Sequence, residues 1–212
     1  YSQHSNIRIT TGATSGGSFV LTGTGGYRFT PTADNAVINV GELQTFFAGQ
    51  NYMEITTSRS GGTQAGNVIF ETDLIQLTAR GTAATRTFKI IAGGKVEFNA
   101  NFTLQIYEYS SNVSGYDLNV SAGAGVSVSG KIDLSGRDSG YFQNYGRAGN
   151  VSMSITGDLF ISGQVLTKGW NNLELSSGYN GGAGGSQNYV VSGTVTLTTS
   201  GILNASGGIA NN

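Results

Sequence analysis

The chain has 212 residues, a formal net charge of −1, 34 glycines, one proline and no cysteine, with 38% of residues apolar and only 11% charged. Such a balance excludes collagen, which needs Gly at every third position with abundant Pro, and a disordered linker, which needs low hydrophobicity or high net charge. Singly scattered charges also exclude the electrostatic footprint of a nucleic-acid or anionic-membrane partner, and the absence of Cys removes disulfides and thiolate chemistry.

No window approaches the eighteen apolar residues of a membrane-spanning helix. The chain opens on Tyr1 without a basic n-region and apolar h-region, and reads as a processed chain or a piece of a longer one. Over residues 1–50, IRITTG, SFVLTG, YRFT and AVINV read as strands, and GELQTFF as a short helical turn with Leu43, Phe46 and Phe47 at helical spacing. This segment is expected to form a β-rich cap, because an uncovered sheet end exposes unpaired backbone groups. A separate β-sandwich over the same residues would have a marginal core.

From residue 51 onward the chain repeats. In LNVSAGAGVSVSGKIDLSG, Leu118 and Val120 form one apolar pair, Val126 and Val128 a second, and Ile132 and Leu134 a third. The same spacing recurs at Phe88/Ile90, Val96/Phe98 and Phe102/Leu104, and again at Val151/Met153, Leu159/Ile161 and Val165/Thr167. Weaker copies lie upstream at Val68, Phe70 and Leu74 and downstream at Val195, Leu197 and Ile202. Measured at the second pair, copies begin at Val68, Val96, Val126, Leu159 and Val195, with spacings of 28, 30, 33 and 36 residues.

Alternation of inward and outward residues is the period of a strand, and Gly, Ser and Asn at the breaks are turn formers. Each unit is therefore three short strands. A three-residue strand cannot bury its apolar face alone, whereas stacked units bury a continuous core. The predicted fold is all-β: a parallel β-helix of about five coils over residues 51–212, preceded by the cap at 1–50. The elastic segments SGRDSGYFQNYGRAGN and KGWNNLELSSGYNGGAGGSQN are expected to project from one corner.

GNVIFETDL, FKIIAGGKVEFNANFTL, YDLNVSAGAGVSVSGKIDLSG and GNVSMSITGDLFISGQV resemble the repeats of filamentous-haemagglutinin-type exoproteins and autotransporter passengers. The resemblance spans about residues 50–206 and implies a right-handed parallel β-helix in a secreted adhesin of Gram-negative type. The Asn-Pro motifs of the two-partner secretion domain are absent, Pro31 being the only proline.

Chemistry-bearing residues are sparse. Hydrolases of this fold class need two carboxylates across a sugar groove, and only Glu71 and Asp73 fall close together in one unit. Arg137, Asp138 and Arg147 form the nearest approach to a lyase-like cluster and read as loop charges. His4 is the only histidine, and GYNGGAGGSQN lacks the Asp of a calcium repeat, so no metal or cofactor is expected. Sequons occur at Asn101, Asn112, Asn119, Asn150 and Asn204; stacked Asn ladders account for Asn119 and Asn150 equally well. The Thr pairs at Thr10, Thr56 and Thr198 are too irregular for an ice-binding face.

Aromatic residues mark the candidate interaction patch: Tyr141, Phe142 and Tyr145 in one loop, Trp170 and Tyr179 in the next. The expected function is a non-catalytic, extracellular or cell-surface structural or adhesive protein. Its expected partners are copies of itself, as an oligomer or filament, and surface glycans. The alternative is a carbohydrate-binding or carbohydrate-active β-helix of the lyase or hydrolase kind.

Overall fold

The computed structural model describes residues 3–23, 25–79, 86–107, 115–136, 147–170 and 182–208. In chain order its elements are β1 (Ile7–Thr10), β2 (Gly17–Leu21), β3 (Tyr27–Pro31), β4 (Ala36–Asn39), α1 (Val40–Phe47), β5 (Tyr52–Thr56), β6 (Val68–Phe70) and β7 (Leu74–Ala79). There follow β8 (Arg86–Ala92), β9 (Lys95–Phe98), β10 (Phe102–Tyr107), β11 (Tyr116–Ala122), β12 (Gly125–Val128) and β13 (Lys131–Asp133). The last six are β14 (Val151–Ile155), β15 (Asp158–Ile161), β16 (Gln164–Leu166), β17 (Gln187–Val191), β18 (Val195–Leu197) and β19 (Ile202–Asn204).

Strands three apart in sequence pair in parallel, which produces three sheets: β17-β14-β11-β8-β5-β3-β2, β18-β15-β12-β9-β6-β1-β4 and β19-β16-β13-β10-β7. Five rungs of three strands stack as a β-solenoid. The repeat read from the sequence is the register of the stack: Val68, Val96, Val126, Leu159 and Val195 form one column, and Phe88, Leu118 and Val151 another. From the second rung on, the connection from third sheet to first absorbs nearly all the length differences.

Columns of like side chains make the core. Phe70 and Phe98 stack at 5.0 Å between ring centroids, and Phe102 stands edge-on to Phe70, Phe88 and Phe98 at 5.2, 5.1 and 5.4 Å. Edge-to-face pairs of this kind add about 0.5–1.5 kcal/mol each beyond area burial. Between rungs the backbones approach so closely that a Cβ at Gly149 would overlap the Tyr116 carbonyl oxygen. Thr167, the polar residue at a core position of the repeat, is fully buried and hydrogen-bonds Gly185 O at 3.4 Å.

Asx side chains fasten rung to rung at the strand ends. Asn67 Oδ1 accepts from Lys95 N (2.8 Å), Asp73 Oδ1 from Asn101 N (2.9 Å), and Asp158 Oδ1 from Thr194 N (2.8 Å). Asp117 Oδ1 accepts from both nitrogens of Asn150, whose own Oδ1 accepts from Ser186 N at 2.9 Å. These bonds satisfy backbone donors where the strand ladder breaks.

The N-terminal segment joins the same sheets in a way the repeat does not disclose. β1 inserts between β4 and β6 in the second sheet, Ile7 pairing with both Ala36 and Val68. α1 follows β4 and lies against the edge of the third sheet, Gln44 Nε2 donating to Ile75 O at 2.6 Å. Asn39 caps α1 by accepting from Glu42 N, Leu43 and Phe47 are buried, and Phe46 stacks on Phe19. At the other end the repeat assigns Ile202 to the column of Val165, but Leu203 occupies it. The turn closed by Gly201 N and Thr198 O adds two residues relative to the preceding rung, one more than the assignment of Ile202 allows.

Phe102→Ala removes the ring on which three columns meet and is expected to cost about 3–5 kcal/mol, read as a lowered midpoint in chemical denaturation without loss of the β-sheet circular dichroism signal under native conditions.

Candidate functional site

Tyr141, Phe142, Tyr145 and Tyr179 lie outside the described residues, as do Arg137, Asp138 and Asn112. Trp170 is described: its side chain is 37% exposed, at the connection between the fourth and fifth rungs, and its carbonyl accepts from Gly182 N at 2.9 Å. The structure therefore places one aromatic of the five-residue patch.

The acidic pair singled out from the sequence, Glu71 and Asp73, is engaged in the scaffold, and so is Asp133. Glu71 forms a two-pronged pair with Arg8, both contacts at 2.7 Å, and the hydrogen bonds from Arg8 hold its carboxyl below the usual carboxylate range. Asp73 binds the backbone and side chain of Asn101. Asp133 accepts from Ser135 N, and Lys131 Nζ lies 3.4 Å from its carboxylate. His4 Nδ1 lies 3.3 Å from the Thr57 hydroxyl, and among the described residues no three His, Cys, Asp or Glu side chains converge on a point that could hold a metal.

One charged cluster has no counterpart in the sequence reading. On the outer face of the first sheet, Arg28, Glu54 and Lys89 fall in register on β3, β5 and β8. The Glu54 side chain is only 4% exposed; Arg28 Nε lies 2.6 Å and Lys89 Nζ 3.8 Å from its oxygens, and the Tyr52 hydroxyl donates to it. Burial, followed by that hydrogen bond, pushes the Tyr52 phenol up to about 12. The signal was the outward Glu between inward Met53 and Ile55; the long separations in sequence from Arg28 and from Lys89 hid the register that brings the two cations beside it.

The outer face of the second sheet carries a groove of about 390 Å³. One row of its lining is Lys95, Gly125 and Asp158, and the next is Glu97, Ser127 and Phe160. Gly125 supplies no side chain between the Lys and the Asp, and the Phe160 ring is 42% exposed beside them. Flat apolar surface, two carboxylates and an ammonium group can together stack on and hydrogen-bond a polyhydroxylated ligand.

The largest feature is the C-terminal end of the stack. Val195, Leu197 and Leu203 stand in the columns of Leu159, Ile161 and Val165, which are buried, yet are 57%, 49% and 43% exposed. β17, β18 and β19 are the outermost strands of all three sheets, so the outer hydrogen-bonding edge of each faces away from the stack. Gln187 and Tyr189 take the inward columns of Val151 and Met153, the Gln187 amide donating to Val165 O (3.0 Å) and Asn204 O (3.1 Å) across the end of the coil.

No family model, curated protein or solved structure matches the chain. Its description rests on its own geometry, that of a β-solenoid repeat protein.

Because the folded-state phenol of Tyr52 is held above the ordinary value of 10.0, its contribution to stability is present below pH 10 and is lost as pH rises through about 12. Tyr52→Phe is expected to flatten the fall of the denaturation midpoint over that window relative to the parent chain, measured by urea titrations at stepped alkaline pH.

Proposed function

We propose that this protein is a non-catalytic structural or adhesive β-solenoid of the cell surface or extracellular space that associates with copies of itself. The observation that carries the reading is the last rung among the described residues, where β17, β18 and β19 are the outermost strands of the three sheets and Val195, Leu197 and Leu203 are exposed in columns that are buried elsewhere. Open edges of that kind are templates for pairing with another chain. A stiff stack with an outward surface of Thr, Ser, Asn and Lys supports a scaffold role. The two carboxylates that fall close together in one unit, Glu71 and Asp73, are occupied instead by Arg8 and Asn101. The likeness of the repeats to secreted haemagglutinin-type adhesins points the same way and suggests export.

A second reading, glycan binding, draws support from the groove around Gly125, where Phe160 supplies a stacking face and Glu97, Asp158 and Lys95 supply hydrogen-bonding groups. Both readings are compatible, since a surface scaffold can carry a ligand groove on its side.

Sedimentation of the chain over a wide concentration range is expected to show concentration-dependent association, and a sharp monomer at every concentration would overturn self-association. On a glycan array, any retained sugar is expected to be lost at least tenfold in Phe160→Ala, with the melting temperature unchanged because that ring stands outside the core; equal retention by both proteins removes the groove from the account.

A further inference from the structure

The groove on the outer face of the second sheet holds its charges in a fixed order. Lys95 on β9 and Asp158 on β15 belong to one row, with Gly125 between them. Strand spacing sets them roughly 9–10 Å apart along the stack. The gap between them is permanent, because Gly125 has a φ of +137° and a Cβ there would come within 2.9 Å of the Asp158 carbonyl oxygen. In the second row Glu97 stands on the strand of Lys95 and Phe160 on the strand of Asp158, with Ser127 midway. One end of the groove is therefore an ammonium group beside a carboxylate, and the other is a carboxylate beside an exposed aromatic ring.

The second of these ends has the chemistry of a cation receptor. Asp158 Oδ1 accepts from Thr194 N at 2.8 Å, which anchors the carboxylate at the lip of the groove. Asp158 and Phe160 are two residues apart on one side of β15, and the negative face of the ring attracts the same charge as the carboxylate does. Among the described residues no carboxylate forms an ion pair with Lys95, and two carboxylates against one ammonium leave the groove net negative. A ligand bearing carboxylate or sulfate would be repelled there. Resting on the glycan reading of this groove, we propose that its ligand is an amino sugar with a free ammonium group, a glucosamine-type unit of a longer chain, seated with the ammonium between Asp158 and the Phe160 ring.

The remaining groups suit the rest of such a ligand. Lys95 stands about one Debye length from the ammonium seat, about 8 Å at physiological ionic strength, so its repulsion is screened and its donors are left for sugar hydroxyls. Ser127 and Glu97 offer a hydroxyl and a carboxylate to the same hydroxyls, Glu97 already accepting from Asn99 Nδ2 at 3.3 Å. The groove volume of about 390 Å³ lies within the usual range of small-ligand sites. Its second row continues to Ile69 on β6 and Thr196 on β18, so flanking sugar units have a path along the stack. A neutral or N-acetylated sugar can stack on Phe160 but leaves Asp158 without a complementary charge. A lysine side chain carries the ammonium but lacks the hydroxyls, and it loses more rotamer freedom on binding.

Calorimetric titration with glucosamine oligomers, and with the same oligomers N-acetylated, tests the assignment. The free-amine oligomer is expected to bind, and N-acetylation to weaken binding roughly tenfold or more, the size of a hydrogen bond to a charged group. Asp158→Asn keeps an oxygen for Thr194 N while removing the charge, and is expected to lose about as much. Glu42→Gln changes the net charge equally on α1, outside the groove, and is expected to bind as the parent chain does. Equal losses in Asp158→Asn and Glu42→Gln would reduce the effect to bulk charge and overturn the proposal. Equal binding of the two oligomers, with the loss in Phe160→Ala intact, overturns the amino sugar and keeps glycan binding. Tighter binding of a lysine-containing peptide than of the free-amine oligomer overturns the sugar class. No binding of the free-amine oligomer overturns the assignment, and the glycan reading falls with it only if Phe160→Ala also leaves retention on the glycan array unchanged.

Discussion

A strand of three residues cannot hide its own side chains, and every other property of this protein follows from that constraint. Val126 and Val128 are buried only because Val96 and Phe98 lie on one side of them and Leu159 and Ile161 on the other. Stability is therefore passed from rung to rung, and each rung requires its neighbour in register. The same rule sets the glycine positions where backbones nearly touch, as at Gly149, and the Asx bridges that replace the ladder at strand ends. It also defines the problem at the two ends, where a rung has a neighbour on one side only.

The ends solve that problem differently. The N-terminal residues wedge β1 into the second sheet, fold α1 against the third and turn β2 back against the first. Phe47 reaches from α1 to Phe88 and Tyr116 at 5.4 and 5.2 Å, tying this segment to the second and third rungs. The C-terminal rung has only a partial closure, the Gln187 amide spanning from first sheet to third and the Tyr189 hydroxyl donating to Gln187 Oε1 at 3.1 Å. Apolar side chains are exposed on both outermost strand sets, Val20 and Leu21 on β2 and Val195, Leu197 and Leu203 on β18 and β19.

How much of this was legible in the sequence varied with the locality of the signal. Spacings within a rung depend on short turns, so the columns of Phe88, Val96, Phe102 and their successors could be read directly, as could the helical spacing of Leu43, Phe46 and Phe47. Pairings set by long connections could not. Met53 and Ile55 belong to the first rung, but residues 57–67 separate them from Val68 and break the spacing. The insertion of β1 beside β6 and the burial of Glu54 between Arg28 and Lys89 depend on register across such segments, whereas the choice of Leu203 over Ile202 turns on a short turn longer than its counterpart in the preceding rung. Of the candidate aromatic patch, Trp170 alone falls within the described residues, while the groove at Gly125 went unread because its two rows come from three rungs.

Rung-to-rung register is the central claim, and paired cysteines in this cysteine-free chain test it directly. Ser127 and Phe160 are in-register neighbours on β12 and β15, and Thr196 on β18 continues the same row one rung further. Neighbouring Cα atoms at strand spacing fall within disulfide range, and positions two strands apart, at roughly 9–10 Å, do not. Under mild oxidation the account predicts an intramolecular disulfide in S127C/F160C and free thiols in S127C/T196C. A cross-link in S127C/T196C with S127C/F160C left reduced would contradict the stack.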